Sequence, residues 1–218
     1  MELIHHYFGL RHGESHPSSQ NRICSSLAGG VDPRNGLTAQ GCEEVASSTR
    51  RWVREIGGSL RSAIHENRLR VIHSPFSRTK ESAEIFWSVV GGFFPEIEAH
   101  RSHWTVPSDL LRERYFGHYD EKSPSDRLYQ EIWLADSLDP GHTLQNCESA
   151  AAVQSRVKRL VEGFEALNDL PKGTWLILVS HGDTLKIAQT YFAELSASLH
   201  QDSGIVPGFE TGEIRKFR

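Results

Sequence analysis

Three short stretches of this chain are dominated by apolar residues: Ile4 to Leu10, Leu69 to His73 and Trp175 to Ser180. Runs of that length, bounded by polar or turn residues, have the pattern of strands covered on both faces. Between them the apolar positions fall at helical spacing. Thr38 in Leu37-Thr38-Ala39-Gln40-Gly41 is a natural N-cap for a helix whose Val45, Ala46, Trp52, Val53 and Ile56 share one face. Gly57-Gly58 is predicted to end it. A second helix is predicted from Ser77 to Val90, with Ala83, Phe86, Trp87 and Val90 inward and Gly91-Gly92 as its stop. Ile97 to His100 reads as a further strand, and Ser125 to Asp136 as a helix within the mixed stretch from His103 to Gly141. Asn146-Cys147-Glu148-Ser149 has the form of a capped start for a long helix ending near Asn168. A helix from Thr184 to Leu195 and a last strand from Glu213 to Phe217 complete the reading. Strands alternating with helices imply an α/β layer fold. The polar segment from Ser15 to Asn35 is too long for a passive turn, and loops of that length usually carry function.

Length sets the next bound. The 218 residues suit one domain, expected to span 1–218 with a cap-like elaboration around 101–147. Hydrophobic residues at 38% and charged residues at 24% mark an ordinary globular chain rather than a disordered one. A net charge of −4 argues against general binding to nucleic acid or to an anionic membrane. No apolar run approaches a membrane span, and Met1 to His6 lacks the basic start of a secretory signal. Cys24, Cys42 and Cys147 are odd in number and scattered, which reads as reduced thiols and leads to the expectation of a cytoplasmic setting. Among the twelve histidines, His5-His6 and His100-Arg101-Ser102-His103 lack the accompanying cysteines or carboxylates of a metal site. No metal is expected.

Two histidines stand apart because each closes an apolar strand and opens onto a glycine: His12 in Leu10-Arg11-His12-Gly13 and His181 in Val179-Ser180-His181-Gly182. In open α/β sheets, ligands bind beyond the carboxyl ends of the strands. If both strands share one sheet, the two imidazoles face one crevice, and Arg11 suggests an anionic substrate. Shuffling this composition yields an Arg-His-Gly triplet on the order of 0.1 times, so the triplet needs partners to carry weight. Arg78 opens a helix, where a cation opposes the helix dipole and calls for a compensating anion, and its guanidinium matches phosphate oxygens. Glu113 lies between Arg112 and Arg114 beside an apolar stretch. The pattern there fits a salt-bridged structural carboxylate as well as a general acid.

Four segments, in order, resemble the landmarks of the histidine phosphatase superfamily, the phosphoglycerate-mutase-like group. They are Leu10-Arg11-His12-Gly13-Glu14-Ser15, Ser74-Pro75-Phe76-Ser77-Arg78-Thr79, Leu111-Arg112-Glu113-Arg114-Tyr115-Phe116-Gly117 and Val179-Ser180-His181-Gly182. Leu37 to Gly41 and Glu148-Ser149 are weaker matches, and the likeness extends from Ile4 to the helix after His181. The resemblance implies a three-layer α/β/α sandwich with a mostly parallel central sheet. It also implies a phosphoric monoester hydrolase of the histidine acid phosphatase type, with no cofactor. In that scheme His12 is the nucleophile, Arg11, Arg78 and His181 hold the phosphoryl oxygens, and Glu113 is the acid and base.

Departures from the group bear on which branch this is. Mutases of the family follow Arg-His-Gly-Glu with a Trp-Asn pair, where this chain has His16-Pro17-Ser18, although Asn21-Arg22 remains similar. After Phe116-Gly117, in place of glycines and basic residues, it has His118-Tyr119-Asp120-Glu121-Lys122. A mutase must hold a bisphosphate in a tight basic enclosure. The resemblance therefore favours a phosphomonoesterase acting on a small phosphorylated metabolite, ahead of a cofactor-dependent mutase or an inactive interaction module. Arg22, Arg34, Arg101, Arg114 and Lys122 are candidates for contacting a second anionic group.

Overall fold

The computed structural model describes residues 2–99, 104–123 and 126–217. Its elements, in order, are β1 (His6–Arg11), the one-turn helices α1 (His16–Ser19) and α2 (Leu27–Gly30), α3 (Ala39–His65) and β2 (Leu69–His73). There follow α4 (Ser77–Phe93), β3 (Thr105–Pro107), α5 (Asp126–Leu138), α6 (Ala150–Glu165), β4 (Trp175–Ser180), α7 (Gly182–Phe192) and β5 (Ile214–Lys216). The five strands form one sheet in the order β3-β2-β4-β1-β5, parallel except for the edge pair β1–β5.

Side chains on a strand alternate between faces, and the two faces of this sheet are both apolar. Phe8, Leu10, Val71, Ile177 and Val179 join Trp52 and Val53 of α3 and Phe86 and Trp87 of α4 in one core. The opposite set, Tyr7, Ile72, Leu176 and Leu178, joins Val157 and Val161 of α6 and Leu185 and Ala188 of α7 in a second. The result is the expected three-layer sandwich. Gly9 lies where two aromatics press on β1, and a Cβ there would sit 2.7 Å from Phe209 and 2.8 Å from Phe217. A third, smaller cluster gathers Ile23, Phe116, Leu128, Ile132 and Cys147 around α5.

Several boundaries differ from the sequence reading. Helix α3 runs through Gly57-Gly58 to His65, because Leu60, Ala63 and Ile64 continue the buried face beyond them. Each glycine costs roughly 1 kcal/mol of helix propensity, which that burial outweighs. Helix α4 likewise passes Gly91-Gly92 to Phe93. The strand expected from Ile97 is instead a 3₁₀ turn over Pro95–Ala99, its last position, His100, lying outside the described residues. The strand that pairs with β2 is Thr105–Pro107, whose half-exposed Thr-Val-Pro gives little periodic signal. Helix α6 ends at Glu165, short of Asn168, and the Ser15–Asn35 stretch carries α1, α2 and a 3₁₀ turn over Pro33–Asn35.

Candidate active site

Parallel register puts the carboxyl ends of three strands level: Arg11 pairs with Ser180, and His73 with Val179. The backbone continues that lock one residue further, with His12 N–H donating to the Ser180 carbonyl and Ser74 N–H to that of Val179, each at 3.0 Å. His12 and His181 thus leave adjacent strands into one crevice. Their ring centroids are 5.1 Å apart, and both side chains are buried.

The His12 ring is fixed by its own neighbour. Nδ1–H donates to the Gly13 carbonyl at 2.7 Å, which leaves the lone pair on Nε2. Arg78 Nε–H approaches that Nε2 at 3.2 Å, so the nitrogen is an acceptor and the ring is neutral. Burial is the main reason the His12 imidazole loses its proton well below its ordinary range, with the charges of Arg78 and Arg11 adding to it. His181 is depressed in the same way, by burial first and then by Arg78. Its Nε2 is hydrogen-bonded to Ser74 Oγ at 2.9 Å, and its ring lies edge-on to Phe76 with centroids 5.0 Å apart.

Arg78, in the first turn of α4, is 4% exposed, its guanidinium over Phe76 and its Nη2 donating to the Cys24 carbonyl at 2.9 Å. Arg11 donates through Nη1 to the Phe209 carbonyl at 2.6 Å. Gly182 lets that guanidinium close on α7, since a Cβ there would sit 3.2 Å from Arg11 Cζ. Three buried nitrogens, Arg78 Nη1 and Arg11 Nε of the crevice lining and His181 Nδ1 beside it, have no hydrogen-bond partner among the described residues. Buried polar groups are seldom left unpaired, and an oxyanion with several terminal oxygens supplies the acceptors the two guanidiniums lack.

Glu113 stands at the rim. Its Oε2 is 3.9 Å from His181 Nδ1, and its Oε1 accepts from Arg114 N–H at 2.9 Å and Thr184 Oγ1–H at 3.2 Å. Burial raises the carboxyl above its usual range, Arg78 opposes the shift, and the Asp183 carboxylate adds to it. A raised carboxyl beside a depressed imidazole is the pairing that acid–base chemistry on an ester needs.

Two ionic networks hold the segment carrying Glu113. On one side Glu148 accepts from Arg112 Nη2 at 2.8 Å and from Arg156 Nε at 3.0 Å, while Arg156 Nη1 donates to the Leu110 carbonyl at 2.6 Å. On the other, Arg114 meets Asp136 through two bonds of 2.7 and 2.8 Å and Asp183 at 3.2 Å. His142 Nε2 lies 2.8 Å from Asp136, and the fully buried His200 lies 3.5 Å from Asp136 and 3.7 Å from Asp183.

These contacts correct the list of candidates for a second anion. Arg114 is completely buried and committed to two aspartates, so it is structural. Arg22 lines the crevice but donates to Glu121 and Asn35. Arg34 is exposed and paired with Asp32, Lys122 is exposed above the Tyr119 ring, and Arg101 lies outside the described residues. Ser74, Asp183 and Thr184 were not anticipated in their roles. In sequence Ser74 follows the second strand as a turn residue, and Asp183 lies just before the helix expected from Thr184. Among the described residues no group of three or more His, Cys, Asp or Glu side chains is arranged to hold a metal ion, and no helix is long and apolar enough to cross a membrane.

The crevice is a cavity of about 470 Å³. Besides Arg11, His12, Arg78 and Glu113, its lining includes Phe116, Tyr129 and Trp133 together with Lys186, Gln201 and Glu210.

A profile of the histidine phosphatase superfamily (branch 1) matches residues 8–208. No curated protein sequence matches the chain. Among solved structures, a mycobacterial glucosyl-3-phosphoglycerate phosphatase superposes with a TM-score of 0.64 at 17% identity, covering 97% of this chain and 89% of that one. A putative α-ribazole-5'-P phosphatase from Escherichia coli gives 0.62 at 16% identity, covering 96% and 88%. The α-ribazole phosphatase of Shigella flexneri gives 0.62 at 17%, with the same coverage.

Proposed function

The chain belongs to the histidine phosphatase superfamily, branch 1, and from that membership together with the crevice we propose that it is a phosphomonoesterase working through a phosphohistidine on a small phosphorylated metabolite. The observation that carries this reading is the state of His12, neutral, with Nδ1–H tied to Gly13 and the Nε2 lone pair facing a cup of under-coordinated cations.

In the first step Nε2 attacks phosphorus in line, the N–P bond forms as the ester P–O bond breaks, and the leaving alkoxide takes the proton of Glu113. Arg11, Arg78 and His181 stabilise the charge on the non-bridging oxygens. In the second step the Glu113 carboxylate takes a proton from water, the oxygen attacks phosphorus, and the N–P bond breaks to give inorganic phosphate and neutral His12. The guanidiniums provide the positive charge for both steps. Commitment of Arg114, Arg22 and Arg34 to acidic partners speaks against the bisphosphate enclosure of a mutase.

The test is turnover of p-nitrophenyl phosphate with alkaline-denaturant quenching to trap protein-bound phosphate, followed by comparison of its acid and base stability. Wild-type protein should hydrolyse the ester and carry an acid-labile, base-stable phosphate, and His12→Ala should do neither. Near-normal turnover by His12→Ala, or phosphate trapped on serine or aspartate, overturns the assignment.

A further inference from the structure

Once the phosphoryl group occupies the cationic end, what remains of the cavity must receive the alcohol. The charged side chains bordering that remainder are already engaged. Arg22 is held by Glu121 and Asn35, Lys186 Nζ donates to Gln201 at 2.7 Å, and Asp183 receives Arg114 and Gln201. A second phosphate or carboxylate there would meet Lys186, whose charge the Asp183 carboxylate already offsets, with Glu210 lining the same cavity.

The uncommitted surface is aromatic. Tyr129 and Trp133, one helical turn apart on α5, stack with ring centroids 5.0 Å apart and planes at 17°. Phe116 meets Tyr129 edge-on at 5.5 Å and 87°. All three rings border the cavity and pack in one cluster with Ile23, Leu128 and Ile132. Prestacked rings give a wall that loses little freedom when a ligand lies on it. The Trp133 indole N–H is buried with no hydrogen-bond partner among the described residues, although buried indole N–H groups usually find one.

Resting on the phosphomonoesterase reading, we propose that the alcohol half of the substrate carries a planar aromatic ring that packs on Phe116, Tyr129 and Trp133, and that it bears no second phosphate. Tyr129 and Trp133 are then specificity-determining residues. A ring of that kind fits beside a phosphate in a cavity within the usual range for small ligands.

Two measurements test this. The first compares kcat/KM for benzyl phosphate, propyl phosphate and 3-phosphoglycerate, all esters of unactivated alcohols. Benzyl phosphate should lead propyl phosphate by about tenfold or more, as one aromatic contact of ordinary strength provides. 3-Phosphoglycerate should be no better than propyl phosphate. Trp133→Leu should remove most of the benzyl preference while changing propyl phosphate turnover little. The second measures binding of benzylphosphonate and propylphosphonate by calorimetry, independently of turnover, with the same expected ratio and the same loss in Trp133→Leu.

Hydrolysis without a ring preference, a preference for 3-phosphoglycerate, or equal losses on both esters in Trp133→Leu overturns the proposal and leaves the phosphatase reading standing. A ring preference in binding with no turnover of any ester sustains the aromatic subsite and removes the phosphatase reading instead. Absence of both removes both.

Discussion

Replacing Arg114 by leucine separates a structural arginine from a substrate-binding one. Arg114 and Asp136 are both fully buried and joined by two hydrogen bonds, with Asp183 as a third member at 3.2 Å. Burial disfavours the guanidinium charge, but the Asp183 and Asp136 carboxylates outweigh it and hold the proton more firmly than usual. Removing the cation leaves the buried Asp136 carboxylate near that of Asp183, with the imidazoles of His142 and His200 and the Gln201 amide as neighbours. Loss of one partner from a buried pair costs about 3–5 kcal/mol, against a total stability of about 5–15 kcal/mol. For a chain of this length that corresponds to a fall in Tm of about 6–20 °C.

The assay is urea and thermal unfolding of Arg114→Leu, Asp136→Leu and the double variant. Since an apolar replacement of a whole buried pair is often neutral, the double variant should recover much of the loss, and the coupling energy of the cycle should be large. Steady-state kinetics on the same proteins, below their melting range, completes the comparison. A loss below about 1 kcal/mol, within the range of a surface ion pair, would refute the structural role. So would a stable Arg114→Leu whose KM rose sharply, because that result returns Arg114 to substrate binding.

Three further outcomes follow from the site. Glu113→Gln should slow esters of poor leaving groups more than p-nitrophenyl phosphate; because the wild-type carboxyl has a raised pKa when folded, its stabilising contribution is lost as pH rises through that value, so the Tm of the variant relative to wild type should rise with pH, and a relative Tm that fell with pH would contradict this. The pH profile of kcat/KM should keep its acid limb below pH 6.5, because burial and Arg78 keep His12 neutral there, and a limb above 6.5 assigned to His12 would contradict the depression. Asp183→Asn removes a charge that raises the Glu113 carboxyl, so the alkaline limb should move to lower pH, which a purely structural loss would not produce; an unmoved limb would deny the coupling.

The strands and long helices were legible because their apolar periodicity is dense: β4 and α3 repeat their signal over many positions. The two histidines and Arg11 were legible because each sits directly at the end of such a strand. What escaped reading has a common physical cause. Gly57-Gly58 looks like a helix stop, yet the burial of Leu60 and Ile64 against the sheet decides the outcome, and that is a tertiary effect. β3 is three residues long and acquires its conformation from pairing with Val71 and Ile72 rather than from its own sequence. Arg114 and Arg22 look alike as isolated letters, and only the partners that folding brings from 22 and 99 residues away distinguish a buried structural ion from a rim residue.

The groups proposed to act in catalysis are themselves a source of instability, and the surroundings reflect it. His12 and His181 are buried imidazoles with depressed pKa values, Glu113 is a carboxyl made harder to ionise, and three buried nitrogens in and beside the crevice lack partners. Each of these features opposes folding at some pH. They persist because the framework on which they stand over-determines their positions. Gly13 and Gly41 approach so closely that a Cβ on Gly13 would run into the Gly41 carbonyl, which clamps the turn after His12 against the start of α3. Ser180 N-terminal to His181 donates its hydroxyl to the Leu111 carbonyl at 2.7 Å, tying β4 to the segment that leads to Glu113. Thr184 Oγ1 lies within hydrogen-bonding distance of both the Arg112 carbonyl and Glu113, and Arg112 and Arg114 then anchor the segment on either side of the carboxylate. Glu113 lies outside regular secondary structure, but its flanking residues are fixed to α5, α6 and α7 at once. The carboxyl proposed as acid and base can therefore sit on a loop without the positional freedom that loops usually have.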